Sequence, residues 1–411
     1  MNCMLGGNVR IAFLSIHGYV DPVPNLGLVD TGGQVVYVLE MAKQLGKLGI
    51  QVDIYTRKFE ERKGIEDVTE NVRIIRIPCG PKEFIVKEKL YPYLGEFAEN
   101  FIKYVKKNDI EYSLIHSHYW DAGFVAMIIR EKLGIPMAHT SHSLGLIKRM
   151  FLGEIGKKVD YGFETRINTE KEILRKSDII ISASPIEPEL VEKYYGIKRK
   201  FHIVPPGVDI DYFNPRAKEI NIQVPERYVF TTGRIEWTKG FDLLVKAFKH
   251  VADAFKEVKL LLGGGSVTPS KIEKEVRKKL SELSKNLKIE KKVIQLGRIP
   301  NELLPAYYAK SSVVVLPSRY DLFGMVALEA LACARPVVVS KYAGVHKLIK
   351  KEFGRIVDPN DEEEFGKSIL ELIMDKEKAD SMGQAGRRYI EENLTWPNLA
   401  KKLNEIYEGI L

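Results

Sequence analysis

Short, wholly apolar runs of strand length recur along the chain, and the stretches between them carry apolar residues every three or four positions. Val9 to Ile16 reads as a buried strand, and Val35 to Leu48 then places Val35, Leu39, Ala42 and Leu45 on one helical stripe. Strands follow at Val52 to Tyr55, Val72 to Ile77, Leu114 to His118, Met137 to Thr140, Ser177 to Ala183 and Phe201 to Val204, with helices near Pro92 to Lys106 and Phe124 to Leu133. Runs that are apolar throughout belong to strands covered on both faces, so the class is α/β, a parallel sheet flanked by helices. The pattern breaks at Pro205-Pro206-Gly207-Val208-Asp209, and Phe213-Asn214-Pro215 follows, which places a hinge between about 205 and 225. It then resumes with strands at Tyr228 to Thr232, Val258 to Leu262, Val293 to Leu296, Val313 to Leu316 and Pro336 to Ser340. A chain of 411 residues exceeds one ordinary core. We expect one domain over 1–210, a second over 211–390, and a final helix over 391–411 whose stripe of Leu399, Leu403, Ile406 and Tyr407 packs back on the first domain.

Composition narrows the class of partner. With 45% hydrophobic and 29% charged residues the chain is an ordinary globular protein, and its formal charge of +8 is spread over helices such as Lys271 to Lys285 and Lys347 to Lys351. Such runs are solvated faces rather than a nucleic-acid stripe, although a phosphorylated small molecule would be drawn by the excess. Cys3, Cys79 and Cys333 lie too far apart for a metal or disulfide pattern. No run approaches the roughly twenty apolar residues that span a bilayer, and no charged leader precedes an apolar stretch, so a cytoplasmic protein without a transmembrane segment is expected.

Four stretches carry residues suited to chemistry at the carboxyl ends of strands, in the cleft expected between two such domains. Thr31-Gly32-Gly33-Gln34 starts a helix with two glycines, which lets an anion approach backbone N–H groups; the full G-x-G-x-x-G and P-loop patterns are missing, which disfavours a nicotinamide enzyme or a nucleotide triphosphatase. His116 and His118, two apart in a strand, face one side, and His139 and His142 follow at the next strand end. A metal hydrolase is the rival these histidines raise, but no neighbouring carboxylates complete a metal shell. His142 suits a hydrogen-bonding or transition-state role, while His116 and His139 suit the core. Gly233-Arg234-Ile235-Glu236-Trp237-Thr238-Lys239-Gly240 brings two cations to a helix start, where they can close on a diphosphate. In Ser318 to Glu329, Asp321 lies just before a helix and Glu329 inside it, with Phe323-Gly324 between them, so both carboxylates can address one ligand.

Taken together and in order, TGGQ, TSHSLG, PPGVD, GRIEWTKG and the carboxylate pair ahead of a Pro-Val-Val-Val strand span nearly the whole chain. This set resembles the retaining nucleotide-sugar glycosyltransferases of family 4, closest in its motifs to the sucrose-phosphate synthases and related sugar-phosphate enzymes. The resemblance implies the GT-B fold, two Rossmann-like parallel-sheet domains facing across a cleft, the first for the acceptor and the second for the nucleotide sugar. It implies transfer of a hexose from a nucleoside diphosphate sugar such as UDP-glucose to a phosphorylated acceptor, fructose 6-phosphate first, with retained configuration. No cofactor or metal is implied, magnesium being at most stimulatory. The alternatives are a mannosyl- or glucosyltransferase using GDP-mannose or another donor on a phosphoglycerate-type acceptor, and a sucrose synthase-like enzyme using free fructose. An epimerase and a sugar-binding protein are remoter readings.

Residue by residue, the resemblance assigns Gly33, Arg234, Lys239, Asp321, Phe323, Gly324, Met325 and Glu329 to the donor, and Gly33, Gln34, Lys87, His118, Asp121 and Arg166 to the acceptor. His142, Arg234, Lys239 and Asp321 are the catalytic candidates: the two cations neutralise the leaving diphosphate, Asp321 holds a donor hydroxyl, Glu329 the ribose, and His142 the transferring sugar. The leaving phosphate itself accepts the acceptor's proton, and domain closure excludes water. Two departures bear on substrates. Asp321 stands where the family carries Glu, and Thr165 stands where the sucrose-phosphate enzymes tend to carry a further Arg beside Arg166.

Overall fold

A computed structural model of the chain describes residues 9–24, 30, 32–158 and 162–411, the side chains of 153–158 excepted. Thr31 of the TGGQ stretch lies outside the described residues, as do 25–29 of the loop before it and Cys3. The chain divides into two compact units, Met1–Pro206 with Trp396–Leu411, and Gly207–Thr395.

The first unit is built on β1 (Arg10–Leu14), β2 (Gln51–Lys58), β3 (Ile65–Thr69), β4 (Val72–Pro78), β5 (Leu114–His118), β6 (Met137–Thr140), β7 (Ile179–Ser182) and β8 (His202–Ile203), in the order β3-β4-β2-β1-β5-β6-β7-β8. All pairings are parallel except β3 with β4. Around the sheet lie α1 (Gly33–Lys47), α2 (Leu94–Lys107), α3 (Trp120–Leu133), α4 (Gly145–Lys158), α5 (Phe163–Lys176) and the single turn α6 (Glu187–Leu190). The core packs the sheet against α2 and α3 through Leu14, Tyr55, Phe97, Phe101, Ile115, Val125 and Ile129. Strand order reverses at β1, which has β2 on one side and β5 on the other, so the loops after β1 and β5 part and leave room for a ligand at their carboxyl ends.

The second unit repeats the plan with β9 (Tyr228–Thr232), β10 (Lys259–Gly263), β11 (Val293–Gly297), β12 (Val313–Leu316), β13 (Val337–Ser340) and β14 (Gly354–Val357), all parallel, in the order β11-β10-β9-β12-β13-β14. Its helices are α7 (Phe241–Ala254), α8 (Lys271–Asn286), α9 (Leu304–Lys310), α10 (Met325–Ala332), α11 (Glu362–Met374) and α12 (Lys376–Asn393). The reversal falls between β9 and β12, whose following loops carry Gly233 to Gly240 and Pro317 to Gly324. Two strands were not expected from the sequence, β3 and β14, each at a sheet edge. Among the described residues no helix is long and apolar enough to cross a membrane.

Candidate active site

In the first unit the loop from β4 delivers Lys87. Buried Arg57 on β2 ties that loop down by donating to the carbonyls of Cys79 (2.9 Å), Glu83 (3.0 Å) and Pro81. Lys87 pairs with Asp30, which also accepts from the Lys87 backbone N–H (2.9 Å). Burial works against the ammonium, but the carboxylates of Asp30 and Glu88 outweigh it and hold its pKa above the usual value. Arg166 on α5 is buried and donates to Glu170 Oε1 (2.7 Å), Tyr119 Oη (2.7 Å) and Ser143 O (2.9 Å), its guanidinium lying 4.7 Å from the Tyr119 ring centre. Glu170, one turn on, also accepts from the first N–H of α4, Gly145 N, at 3.0 Å, so one carboxylate fixes both Arg166 and that helix start. Lys87, Glu88, Tyr119, Trp120, Lys148, Phe163 and Arg166 line a single pocket. The structure thus brings together the two acceptor-site cations expected from the sequence and adds Lys148 and the Tyr119 hydroxyl, which sequence reasoning missed.

The remaining first-unit candidates are not among the residues that line this pocket. Gly32 and Gly33 open α1 with no side-chain cap, and among the described residues nothing lies within 4 Å of a Cβ placed on either. Gln34 points back along the helix, donating to Ser15 Oγ (3.3 Å) and His118 O (3.4 Å). Asp121 is fully buried; one oxygen bonds Nδ1 of His17 at 2.7 Å and the other accepts from Ala122 N at 2.6 Å. It therefore orients His17, a residue the sequence did not single out, rather than meeting solvent itself. His116 and His118 do share a side, their ring centres 4.1 Å apart. His116 is satisfied by Tyr407 (2.5 Å) and Thr140 (2.8 Å), and His139 by Ser117 (2.9 Å), as befits core histidines. Fully buried His118 contacts Nε2 of half-buried His142 through Nδ1 at 3.0 Å. Burial depresses both pKa values, His142 to about 3, so both rings are neutral. Among the described residues no three His, Cys, Asp or Glu side chains are grouped to hold a metal ion.

In the second unit Lys239 ends a single 3-10 turn, Trp237–Lys239, before α7, and its ammonium lies 2.6 Å from Asp321 Oδ2. Asp321 does not cap α10; its backbone is bonded to the loop after β13 through Tyr342 O (3.3 Å) and Gly344 N (2.9 Å). The cap is Gly324, at φ +105°, where a Cβ would sit 2.4 Å from Leu316 Cδ2. Phe323 is buried and Met325 half-buried at the helix start. Arg319, another residue not anticipated, locks the two loops: its guanidinium makes two 2.6 Å bonds to Asp242, lies 3.7 Å from the Trp237 ring centre, and its backbone N–H donates to Thr238 O at 2.8 Å. Arg234 is largely exposed and sits 3.2 Å from Glu236. Glu329 accepts from Tyr308 Oη at 2.6 Å, and burial raises its pKa against the effect of that bond. Lys239 and Asp321 are thus brought together, with Arg234 on the same loop and Glu329 one turn into α10.

Residues 31–212 match the family profile Glycosyltransferase Family 4, and residues 214–389 match Glycosyl transferases group 1. The chain is 38% identical to mannosylfructose-phosphate synthase of Agrobacterium fabrum, over 97% of this chain and 91% of that protein. It is 32% identical to D-inositol 3-phosphate glycosyltransferase of Corynebacterium urealyticum, over 98% of this chain and 96% of that one. Sucrose-phosphate synthase from Thermosynechococcus elongatus, a solved structure, superposes with a TM-score of 0.86 at 31% identity, covering 98% of this chain and 99% of the other. Two parallel-sheet units, each with polar residues gathered where its strand order reverses, and near full-length likeness to these enzymes make the chain a glycosyltransferase of family 4 with the GT-B fold.

Proposed function

We propose that the protein moves a hexose, with retained configuration, from a nucleoside diphosphate sugar to a phosphorylated acceptor, a fructose 6-phosphate-like sugar phosphate first among them. The observation that carries this reading is the pocket of Lys87, Lys148 and Arg166. Three cations near one another suit a dianion, which would share Lys87 with Asp30 and Glu88 and Arg166 with Glu170. Tyr119 Oη already accepts from Arg166, so its own hydrogen is left for a phosphate oxygen. The names of these relatives agree in carrying a phosphate, and two of them in carrying a fructose unit or its disaccharide. They differ in the sugar moved, which is why glucose and mannose both stay as donors here; Asp321, one methylene shorter than the expected Glu, is the residue on which that choice is proposed to turn.

In the mechanism we propose, Arg234 and Lys239 stabilise the charge that develops on the leaving diphosphate, and Glu329 holds the ribose. Lys239 has a carboxylate partner before any donor arrives, so the donor must share the ammonium with Asp321, which orients the lysine in advance. His142 is proposed to touch the transferring sugar, the departing phosphate takes the acceptor's proton, and no metal is required.

The test is a panel of UDP-, ADP- and GDP-linked glucose and mannose against fructose 6-phosphate, fructose, inositol 3-phosphate, 3-phosphoglycerate and glucosyl-phosphoglycerate, run with and without chelator, with products identified by mass and anomeric coupling. A phosphorylated disaccharide is expected. Lys148→Ala and Lys87→Ala should each raise KM for the phosphorylated acceptor about tenfold to a hundredfold, the value of one charge-assisted bond. Equal transfer to fructose and fructose 6-phosphate, or equal effects of the variants on both, would remove the phosphate pocket from the reading.

A further inference from the structure

His118 ends β5 with its ring wholly enclosed, packed between His116 at 4.1 Å and Phe13 at 4.9 Å from centre to centre. Its polar contact among the described residues is the 3.0 Å approach of Nδ1 to His142 Nε2, and its own Nε2 is buried with no partner. Both rings are neutral, so each has one hydrogen, and the short contact holds one of them. If His142 were the donor, the hydrogen of His118 would sit on Nε2, an N–H sealed in the core with nothing to accept it. If His118 is the donor, its Nε2 is a bare nitrogen, an unfilled acceptor. Buried donors without acceptors are rarer in folded proteins than under-used acceptors, because the lone N–H gives up its whole solvation.

We propose that His118 Nδ1–H donates to His142 Nε2 and so fixes His142 as the tautomer that carries its hydrogen on Nδ1. His142 Nδ1 has no bond to any described residue and is not among the enclosed atoms, so this hydrogen is presented outward. The ring is held edge-on to Tyr37, 5.1 Å between centres, from a backbone at φ +54°. His142 is then a hydrogen-bond donor to a ligand oxygen and is not set up as a base. His118 is a positioning residue that acts through it, rather than the acceptor contact that the sequence suggested. The functional meaning rests on the reading that His142 touches the transferring sugar; the tautomer itself does not.

The full chain labelled with ¹⁵N-histidine tests this through long-range ¹H–¹⁵N correlations, which separate protonated from bare ring nitrogens, with His142→Asn used for assignment. The expected spectrum shows His142 protonated on Nδ1 and bare on Nε2; the opposite pattern in the unaltered protein overturns the proposal without any variant. His118→Leu removes the group that holds the His142 ring in place and should lower kcat about tenfold, with the acceptor's KM little changed. His118→Asn, whose amide can present an N–H near the place of Nδ1, should recover most of that loss. An unaltered kcat in His118→Leu overturns the positioning role. A predicted tautomer together with an undiminished kcat in His142→Asn would instead count against the proposed role of His142 and leave the tautomer standing.

Discussion

Lys239 and Asp321 form a part-buried ion pair whose members come from different loops of the second unit, and in the mechanism proposed above they meet the diphosphate and the donor sugar. Lys239→Ala should lower kcat about a hundredfold, the usual cost of losing a charge contact made to the transition state; unchanged turnover would take Lys239 out of the mechanism. Asp321→Glu keeps the charge and lengthens the arm, so the ratio of kcat/KM for glucose and mannose donors should move, and an unmoved ratio would clear Asp321 of donor choice. A second carboxyl, Glu187, gives a pH prediction. Ser182 Oγ has one hydrogen to offer two acceptors, Ser184 O at 2.6 Å and Glu187 Oε2 at 2.5 Å, so its support for the carboxylate is shared. Burial pushes this carboxyl up to about 7 from an ordinary 4.5, against its hydrogen bonds to Ser182 and Ser141. Because the folded value is the higher one, the contribution of Glu187 to stability is full below pH 4.5 and is lost as pH rises through 7, a change on the order of 3 kcal/mol. Denaturant unfolding of the protein and of Glu187→Gln at several pH values should give a difference curve that falls over that window, and a flat one refutes the assignment. Much of the candidate site was legible at this scale because His142, Lys239 and Asp321 follow strand ends and Gly33 opens a helix, all in recognisable stretches. Lys148 was not, since a lysine in a helix looks like every other solvated cation until α4 is packed. Glu170 had a signal, its one-turn spacing from Arg166, but that spacing is common on helices.

Among the elements, the turn between β12 and α10 is tightly constrained by its neighbours. Gly324 must adopt a left-handed conformation there, and the space a Cβ would need is filled by Leu316 and Val345. Gly324→Ala should destabilise the second unit by about 1–3 kcal/mol and displace Asp321, weakening donor binding as well. Unfolding by denaturant and donor titration check both, and a variant normal in each would mean the turn yields more easily than its packing implies. The sheets were readable where strands are buried on both faces, since these are apolar throughout: Val-Val-Val-Leu in β12 and Val-Val-Val-Ser in β13. The two missed strands lie at edges. β3, Ile-Glu-Asp-Val-Thr, alternates exposed and half-buried residues, and β14, Gly-Arg-Ile-Val, leaves only Ile and Val to signal a strand. An edge strand has one neighbour and less cover, so selection for apolar side chains is weaker and the run disappears from the sequence.

At the scale of the whole molecule, the chain leaves the first unit at Pro206, builds the second, and returns at Trp396. The returning helix, Trp396–Glu408, buries Trp396, Leu399, Ala400, Leu403 and Tyr407, and Tyr407 supplies the hydroxyl that satisfies His116 in the middle of the sheet. Trp396 meets Tyr37 of α1 edge-on at 5.9 Å, so the helix packs on the ring that also touches His118 and His142. Four large side chains at about 1.5–3 kcal/mol each give roughly 6–12 kcal/mol, an upper figure because the unfolded chain already hides part of that surface. That rivals the net stability of an ordinary domain, about 5–15 kcal/mol. A chain stopped after Thr395 should therefore lose the first unit while the second stays folded: amide protection in β5 and β6 should collapse and that in β9 and β12 persist. Tyr407→Phe separates packing from polarity, keeping the ring and removing one buried hydrogen bond, for a loss of about 1–3 kcal/mol confined to the first unit. Unchanged protection of β5 in the truncated chain would mean that the first unit stands without its returning helix, and that the histidine cluster draws its order from β5 and β6 alone.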